Sequence, residues 1–327
     1  MILVTGGAGY IGSHTVKQLL ASGYDTVVFD SMELGHPEAV VGGQVFQGDL
    51  RDRDRVYEAF DKYPIDAVVH FAAYASVPDS VANPDKYFAN NIGGGLNLVD
   101  AMRDHGVKNI IFSSSAATYG EPLESPIPED HRQVPTNPYG ESKLMFEKIL
   151  KWYDVAYGIK SVSLRYFNAS GADPDGRIGE DHTPEGHLIP LVLQVPLGQR
   201  ASVKVFGTDW DTPDGTCVRD YIHVVDLAEA HLLSLKALEN GAETTAYNMG
   251  NGDGQSVKQV IEAAEDVVGT KINWEPAERR PGDPARLVAS SEKLQRELGW
   301  KPLYPELHTI IQHAWAWHSA HPKGYGK

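Results

Sequence analysis

The chain reads as an α/β protein built on a doubly wound parallel sheet with a smaller C-terminal mixed α/β part, and three observations point there. Short apolar, β-branched runs alternate with helix-periodic stretches through the first half. Parallel strands buried on both faces require that pattern, because helices must cover each side of the sheet. A glycine-spaced loop follows the first strand directly and opens into an apolar helix. After Phe167 the alternation fails, and residues 168–186 are crowded with Gly, Asp and Pro.

In chain order, strands are predicted over 2–5, 26–30, 44–47, 67–71, 109–113 and 161–165, where Val, Ile and Phe cluster in short runs. Helices are predicted between them over 11–21, 53–61, 84–104 and 139–157. The remainder predicts a helix over 189–198, a strand over 203–206, helices over 225–239 and 256–268, and a last helix over 306–318. This places a Rossmann-like domain at 1–167 and a smaller substrate domain at 168–327. Some segments of the second are expected to pack back on the first sheet, so the boundary is a ligand cleft more than a hinge.

Composition narrows the function classes. At 327 residues, one large or two fused domains is the expectation, and a core is easily buried. The formal charge of -15 argues against a nucleic-acid or anionic-membrane surface, which needs clustered Lys and Arg. A single cysteine, Cys217, allows no intramolecular disulfide and no cysteine-based zinc cluster. The first strand begins at once, leaving no room for a signal peptide, and no apolar run approaches the ~20 residues that span a bilayer. A cytoplasmic protein is expected, which makes the sequon at Asn168 a chance match.

The loop after the first strand has glycines at 6, 9 and 12. Gly6 allows the tight turn, Gly9 lets backbone approach a pyrophosphate, and Gly12 lets helix and strand pack closely. The helix start then offers N–H groups and partial positive charge to phosphates. The second strand ends at Asp30, where a carboxylate would accept from an adenosine ribose and repel a 2′-phosphate, so NAD is expected over NADP. Asp49, after the third strand, fits either an acceptor for the adenine amino group or a cap for a helix from Arg51 onward. Phe71, Ala72 and Ala73 end the fourth strand with the small residues that a close-lying dinucleotide requires. Asn90 and Asn91 fit polar cofactor contacts or helix–helix hydrogen bonds.

Tyr139 and Lys143 stand four residues apart at the start of a predicted helix, so both project from one face. A tyrosine of pKa ~10 is a poor base at neutral pH, but an ammonium and an oxidised nicotinamide both favour the phenolate. The preceding strand ends in Ser113, Ser114 and Ser115, and strand carboxyl ends face the ligand crevice. Ser115 is therefore placed to hydrogen-bond the hydroxyl or ketone being reacted.

The glycine loop, the strand-ending serine and the Tyr139/Lys143 pair resemble the extended short-chain dehydrogenase/reductase family. Residues 5–14 (TGGAGYIGSH), 112–120 (FSSSAATYG), 137–145 (NPYGESKLM), 164–171 (LRYFNASG) and 218–228 (VRDYIHVVDLA) are similar to members that epimerise nucleotide sugars, and the likeness runs through residues 279–283. The resemblance implies an isomerase that inverts C4 of a UDP-hexose, UDP-glucose or UDP-galactose, through a transient 4-keto sugar. Tyr139 would take the 4-hydroxyl proton while hydride passes to NAD and later returns to the other face, so net oxidation is zero. It extends the cofactor set to Tyr10, Ile11, Ser31, Leu50, Ser113, Tyr166 and Phe167. It places Asn168, Arg219, Arg280 and Asp283 on the nucleotide diphosphate or its ribose, Val205 and Phe206 along the uracil, and Lys204, His187, Leu188 and Leu287 around the substrate. Two guanidinium forks suit a diphosphate entering an acidic protein.

Ala75 stands where many family members carry Lys, and Gly186-His187-Leu188 where many show Asn-Asn-Leu. Leu287 matches a residue whose bulk limits the sugar pocket; Leu is intermediate, so N-acetylhexosamines stay open. Dehydratases of the family carry an acidic pair after the strand-end serine, where this chain has Ala116 and Ala117. A dinucleotide-sensing regulator would have no reason to keep the Tyr139/Lys143 pair. Surplus apolar residues on the helix from Tyr139 imply a second buried face; together with the helix predicted over 84–104 it resembles the family's four-helix homodimer contact, although a thick monomer core fits the same pattern.

Other signals are set aside. Residues 173–176 look calcium-like, but position 182 is His where the loop would need Glu, which leaves a turn. The 13 histidines show no metal-ligand spacing, so no metal is expected, and His70 reads as a packed core residue.

Overall fold

The computed structural model describes residues 1–280 and 283–326; Pro281 and Gly282, within the matched string 279–283, lie outside the described residues. In chain order the first half comprises β1 (Ile2–Thr5), α1 (Tyr10–Ala21), β2 (Thr26–Asp30), β3 (Gln44–Gln47), α2 (Arg53–Lys62), β4 (Ala67–His70), α3 (Val77–Ala82), α4 (Pro84–Tyr87), α5 (Gly95–Asp104), β5 (Asn109–Ser115), α6 (Pro138–Tyr157) and β6 (Lys160–Tyr166). The second half adds β7 (Asn168–Ser170), α7 (Leu188–Leu193), β8 (Val203–Phe206), β9 (Val218–Arg219), β10 (Tyr221–His223), α8 (Val224–Glu239), β11 (Thr245–Met249), β12 (Gln255–Ser256), α9 (Val257–Val268), β13 (Trp274–Ala277), β14 (Arg286–Leu287), α10 (Glu292–Leu298) and α11 (Leu307–Ala320).

Seven parallel strands form the central sheet in the order β11-β6-β5-β4-β1-β2-β3. The order reverses between β1 and β4, and a doubly wound sheet opens its ligand crevice at that point, beyond the strand carboxyl ends. Alternate residues feed the two faces. Val4, Val28, Val69, Ile111 and Leu164 pack with Leu19, Leu227 and Leu235 of α1 and α8. Leu3, Val27, Phe29, Val68 and Ile110 pack with Val56, Leu98 and Phe146 of α2, α5 and α6 on the other side. Burying each such side chain contributes ~1.5–3 kcal/mol, which makes the period of two a strong determinant of strand register. The smaller part has its own core of Ile189, Val205, Val260 and Ile311. No helix among the described residues is long and apolar enough to cross a membrane.

The fold class is the one the sequence predicts, with local corrections. The helix predicted over 84–104 is α4, a π-type stretch Phe88–Gly94, and α5. A glycine run underlies the widened turn: a Cβ on Gly95 would lie 2.4 Å from the Phe146 ring and one on Gly94 2.9 Å from Leu50. The helix predicted over 189–198 stops at Leu193 and continues as turns to Gly198. The strand predicted to end at 113 runs on to Ser115, paired to Tyr166 of β6. The seventh strand, β11, was not predicted. It pairs parallel with β6 and, with α8, returns the second half of the chain to the first sheet.

Candidate active site

The loop from β1 to α1 is shaped by close contacts that exclude side chains. Gly6 has φ +71°, and a Cβ there would lie 2.6 Å from the Ala72 amide nitrogen. A Cβ on Gly12 would lie 2.1 Å from the Gly6 carbonyl oxygen, whereas one on Gly9 meets only that same oxygen, at 3.3 Å. Gly9 is the N-cap of α1 and supplies no side-chain cap, and the first turn holds no acidic residue. The helix start thus keeps free N–H donors for an anion, as a dinucleotide pyrophosphate needs. Tyr10 is anchored by its hydroxyl donating to the Gly171 carbonyl at 2.7 Å, and Ile11 packs on the sheet core.

Asp30 ends β2, mostly buried, and its carboxylate accepts from the Ala8 amide at 3.0 Å and the Met32 amide at 2.9 Å. The carboxylate is thereby fixed to the glycine loop itself. Ser31 beside it is exposed and accepts from the Glu33 amide at 3.3 Å. Asp49 accepts from the Arg51 amide at 2.8 Å and from its guanidinium, which holds the carboxyl below its ordinary range. The cap of α2 is Asp52, accepting from the Arg55 amide at 3.2 Å, and not Asp49. The Leu50 side chain is buried in the core. The Phe71 and Ala72 amides both donate to the Thr5 carbonyl, at 2.9 and 3.1 Å, holding residues 71–73 against the glycine turn. Of the asparagine pair, Asn91 is structural. It is buried, accepts from the Tyr74 amide at 3.0 Å and donates to the Ser142 hydroxyl at 3.0 Å. Asn90 stays half-exposed and donates to Asn91 at 3.0 Å.

Ser115, Tyr139 and Lys143 come together where α6 begins. Asn137 caps that helix by accepting from the Gly140 amide at 2.9 Å, and Pro138 occupies its first turn, so Tyr139 enters at the very start. A Cβ on Gly140 would lie 2.4 Å from the Ala117 carbonyl, so the helix start is seated on the turn that follows β5. The Ser115 hydroxyl faces the Tyr139 phenol. Burial pushes the phenol's pKa up, and the Ser115 hydrogen bond opposes it. Lys143 is buried and donates to the Ser113 carbonyl at 2.8 Å, with its nitrogen 5.8 Å from the Tyr139 ring centre. Burial lowers its pKa to about 7, with Glu147 opposing.

Residues that sequence reasoning missed brace this centre. Arg165 of β6 donates to the Glu147 carboxylate of α6 at 2.6 Å and to the Tyr119 hydroxyl at 2.8 Å. Ser114 donates to the same carboxylate at 2.5 Å. These contacts lock α6 to β5 and β6. Tyr166 is hydrogen-bonded to the Ser113 hydroxyl, and its pKa is raised by burial and then by Tyr139; half-buried Phe167 follows it. His70 is packed, with Nδ1 2.6 Å from the Thr5 hydroxyl and its pKa lowered to about 3 by burial.

The residues expected around substrate fall mostly on β7, β8, β9 and β14. The Arg280 guanidinium lies over the Phe206 ring at 4.6 Å and pairs with Asp283 at 3.1 Å, while Arg219 approaches Asp283 at 3.7 Å. Arg219 is also held by the Pro284 carbonyl at 2.9 Å and pairs in register with Leu287. Asn168 donates to the Asp220 carbonyl at 3.0 Å. Val205 is buried in the local core, leaving Phe206 as the half-exposed member of that pair, and Lys204 points outward. Asp220, inside the matched string 218–228, is a clamp: its carboxylate accepts from the Asn251, Gly252 and Ala289 amides at 2.8, 3.1 and 3.1 Å. Leu188 packs on the smaller core. His187 shares a cavity wall with Asn168 and Tyr221, and is drawn to Glu180. The sequence showed no metal-ligand spacing among the histidines, yet Glu180, His182, Glu185 and His187 gather in one group, which an irregular loop brings together without any regular period. Residues 173–176 form a turn, with the Gly176 amide donating to the Asp173 carbonyl at 2.8 Å.

Comparison with known proteins points to one family. Residues 2–250 match the model of the NAD dependent epimerase/dehydratase family. A UDP-glucose 4-epimerase of Lacticaseibacillus casei is 54% identical over 326 residues, covering 99% of this chain and 98% of that protein. A crystal structure of UDP-glucose 4-epimerase superposes with a TM-score of 0.98 at 52% identity, covering 100% of this chain and 99% of the other. The enzyme from Bifidobacterium longum, crystallised in complex with NAD+ and UDP, superposes with a TM-score of 0.92 at 41% identity, covering 99% of both chains.

Proposed function

The chain belongs to the NAD dependent epimerase/dehydratase family, and we infer that it is an isomerase that inverts C4 of a UDP-hexose, interconverting UDP-glucose and UDP-galactose with NAD as cofactor. The observation that carries the reading is the meeting of Ser115, Tyr139 and Lys143 at the carboxyl end of β5. The glycine loop 6–12, Asp30, the 71–73 backbone and Lys143 would hold the dinucleotide. When bound, NAD supplies the acceptor for the C4 hydride, its return to the opposite face, and a positive charge near the phenol.

The chain's own groups manage the proton and the grip. Tyr139 takes the 4-hydroxyl proton and gives it back once the 4-ketose has turned in its pocket. The Ser115 hydroxyl holds the reacting oxygen beside the phenol throughout. Lys143 supplies the phenolate with a counter-charge from the same helix face. Turning demands that the nucleotide alone be gripped, and Asn168, Phe206, Arg219, Arg280 and Asp283 supply that grip away from the reacting carbon. Ala116 and Ala117 offer neither the acid nor the base that β-elimination would require, which favours epimerisation over dehydration.

In this reading residues 1–167 form the NAD-binding domain and 168–327 the substrate domain, with α8 and β11 returning to the first sheet. The enzyme works as a cytoplasmic homodimer through the outer face of α6. The test is to incubate purified protein with UDP-galactose, without added NAD, and follow products by NMR. Approach to an equilibrium with UDP-glucose is expected. A keto-deoxy product would make it a dehydratase, and no turnover with dinucleotide bound would make it a regulator; either overturns the reading.

A further inference from the structure

Glu180, His182, Glu185 and His187 converge in the irregular stretch between β7 and α7, and the centre at Tyr139 uses none of them. One ligand-capable atom from each lies within 4.8 Å of all the others. Glu180 is 3% exposed, and its buried Oε1 accepts no hydrogen bond. Yet His187 Nδ1 stands 2.6 Å and His182 Nδ1 3.3 Å from that oxygen. At neither distance does an N–H meet that oxygen in hydrogen-bond geometry, and His182 Nδ1 is also buried without a hydrogen bond. Glu185 closes the group, with Oε2 3.6 Å from His182 Nδ1 and Oε1 3.5 Å from His187 Nδ1. Its Oε1 is fixed by the Gly186 and His187 amides at 2.7 and 2.8 Å.

Two imidazoles and two carboxylates gathered within 4.8 Å, with buried atoms left without hydrogen bonds, make a donor set for a metal ion. Atoms bound to one tetrahedral ion at ~2.0–2.1 Å stand ~3.3–3.4 Å apart; His182 Nδ1 already lies 3.3 Å from the Glu180 oxygen, and the 2.6 Å between that oxygen and His187 Nδ1 would have to open as an ion enters. A buried carboxylate oxygen without a hydrogen bond is costly, and a cation at the shared centre removes that cost. Two imidazoles with two carboxylates suit a borderline divalent ion such as zinc, whereas calcium and magnesium take oxygen ligands in larger number. The charge of the ion balances the two carboxylates. Four protein ligands leave no open position, so the ion would be structural rather than catalytic.

We propose that Glu180, His182, Glu185 and His187 form a structural site for a zinc-class divalent cation. It would fasten the substrate-side loop to the cofactor side, because the His182 ring stands edge-on to Tyr10 of the glycine loop at 6.3 Å, while His187 leads directly into Leu188. The site does not rest on the epimerase reading, and it assigns His187 to the ion where the family resemblance placed it beside the substrate.

The test is elemental analysis of tag-free protein purified with its dinucleotide, followed by chelation and zinc titration. One zinc equivalent per chain is expected, with a melting temperature that falls on chelation and recovers on zinc addition. His182→Ala should lose at least roughly tenfold in zinc affinity, and its melting temperature should ignore both treatments. Cobalt in place of zinc should give the visible absorption of a tetrahedral ion. Wild-type protein that neither carries nor binds zinc, with a melting temperature indifferent to it, would leave two ion pairs and overturn the proposal. So would a His182→Ala variant retaining a full equivalent at unchanged affinity. The wild-type titration decides the matter even where the variant fails to fold.

Discussion

Burial acts in opposite directions on the two titratable groups at the start of α6. It raises the Tyr139 phenol and lowers the Lys143 ammonium to about 7, so the protein's own environment resists both charged forms that the proposed chemistry uses. Tyr139→Phe should therefore cut turnover by about 10² to 10⁴ and leave the dinucleotide bound, as read by coupled kinetics and the absorbance of the purified protein; a near-normal rate would remove the phenol from the mechanism. Lys143 also makes a stability prediction. Its pKa of 10.5 in the open chain falls to about 7 in the fold, so between those values the unfolded chain binds more protons than the folded one. Stability then rises with pH through that window, and the full penalty is present below it. Lys143→Met should melt higher than the dinucleotide-free wild type near pH 7, with the advantage shrinking by about pH 10. An advantage that is constant with pH would show that the ammonium is not desolvated. The placement of both residues was legible in the sequence, because a helical spacing of four and a position after a strand fix it. The Arg165–Glu147 pair beneath them was not, since its partners lie 18 residues apart on different elements.

At the scale of the element, the strand-turn-helix of residues 2–21 separates packing from binding within one glycine triad. A methyl group at Gly12 would meet the Gly6 carbonyl at 2.1 Å, and its other near neighbours are also backbone of Gly6 and Gly7, whereas at Gly9 it meets a single oxygen at 3.3 Å. Gly12→Ala should therefore unfold at a markedly lower temperature. Gly9→Ala should fold nearly as the wild type yet lose its dinucleotide, because the added methyl occupies the approach to the pyrophosphate. Melting curves together with dinucleotide content after gel filtration check the pair. Gly9→Ala protein that keeps a full complement of dinucleotide would sink the assignment of that loop. The same contrast explains what the sequence made legible at this level. Strands such as Ile2–Thr5 are buried on both faces and show continuous apolar runs. The strand Thr245–Met249 carries Thr, Tyr and Asn, and only its docking against β6 makes it a strand. Likewise the predicted helix over 84–104 showed its helical period but not the π-type turn inside it. That turn depends on Phe146 and Leu50 pressing on glycines from elsewhere in the chain.

For the whole molecule, the unsettled surface is the outer face of α6. Its inner face is consumed by the core through Leu144, Phe146 and Leu150. Met145, Trp152 and Val155 nevertheless stand 37%, 70% and 72% exposed. They fall at i, i+7 and i+10, a single stripe along the helix with half-buried Ile149 beside it. Leaving a tryptophan and a valine in water along one stripe forfeits ~1.5–3 kcal/mol for each side chain that a partner could cover. A second copy placing the same helix against this one would recover that twice, by symmetry. Trp152→Glu combined with Val155→Lys replaces the recovered energy with charges that must be desolvated, and should weaken association by roughly 10³-fold or more. Light scattering at micromolar concentration should find the wild type at twice the 35.8 kDa chain mass and the double variant at the chain mass. Thirteen residues of helix separate Trp152 from Tyr139, about 20 Å at 1.5 Å per residue. The variant's epimerase rate per chain should consequently stay within a few-fold of wild type. A wild type that scatters as a single chain would mean that the stripe serves something other than self-association.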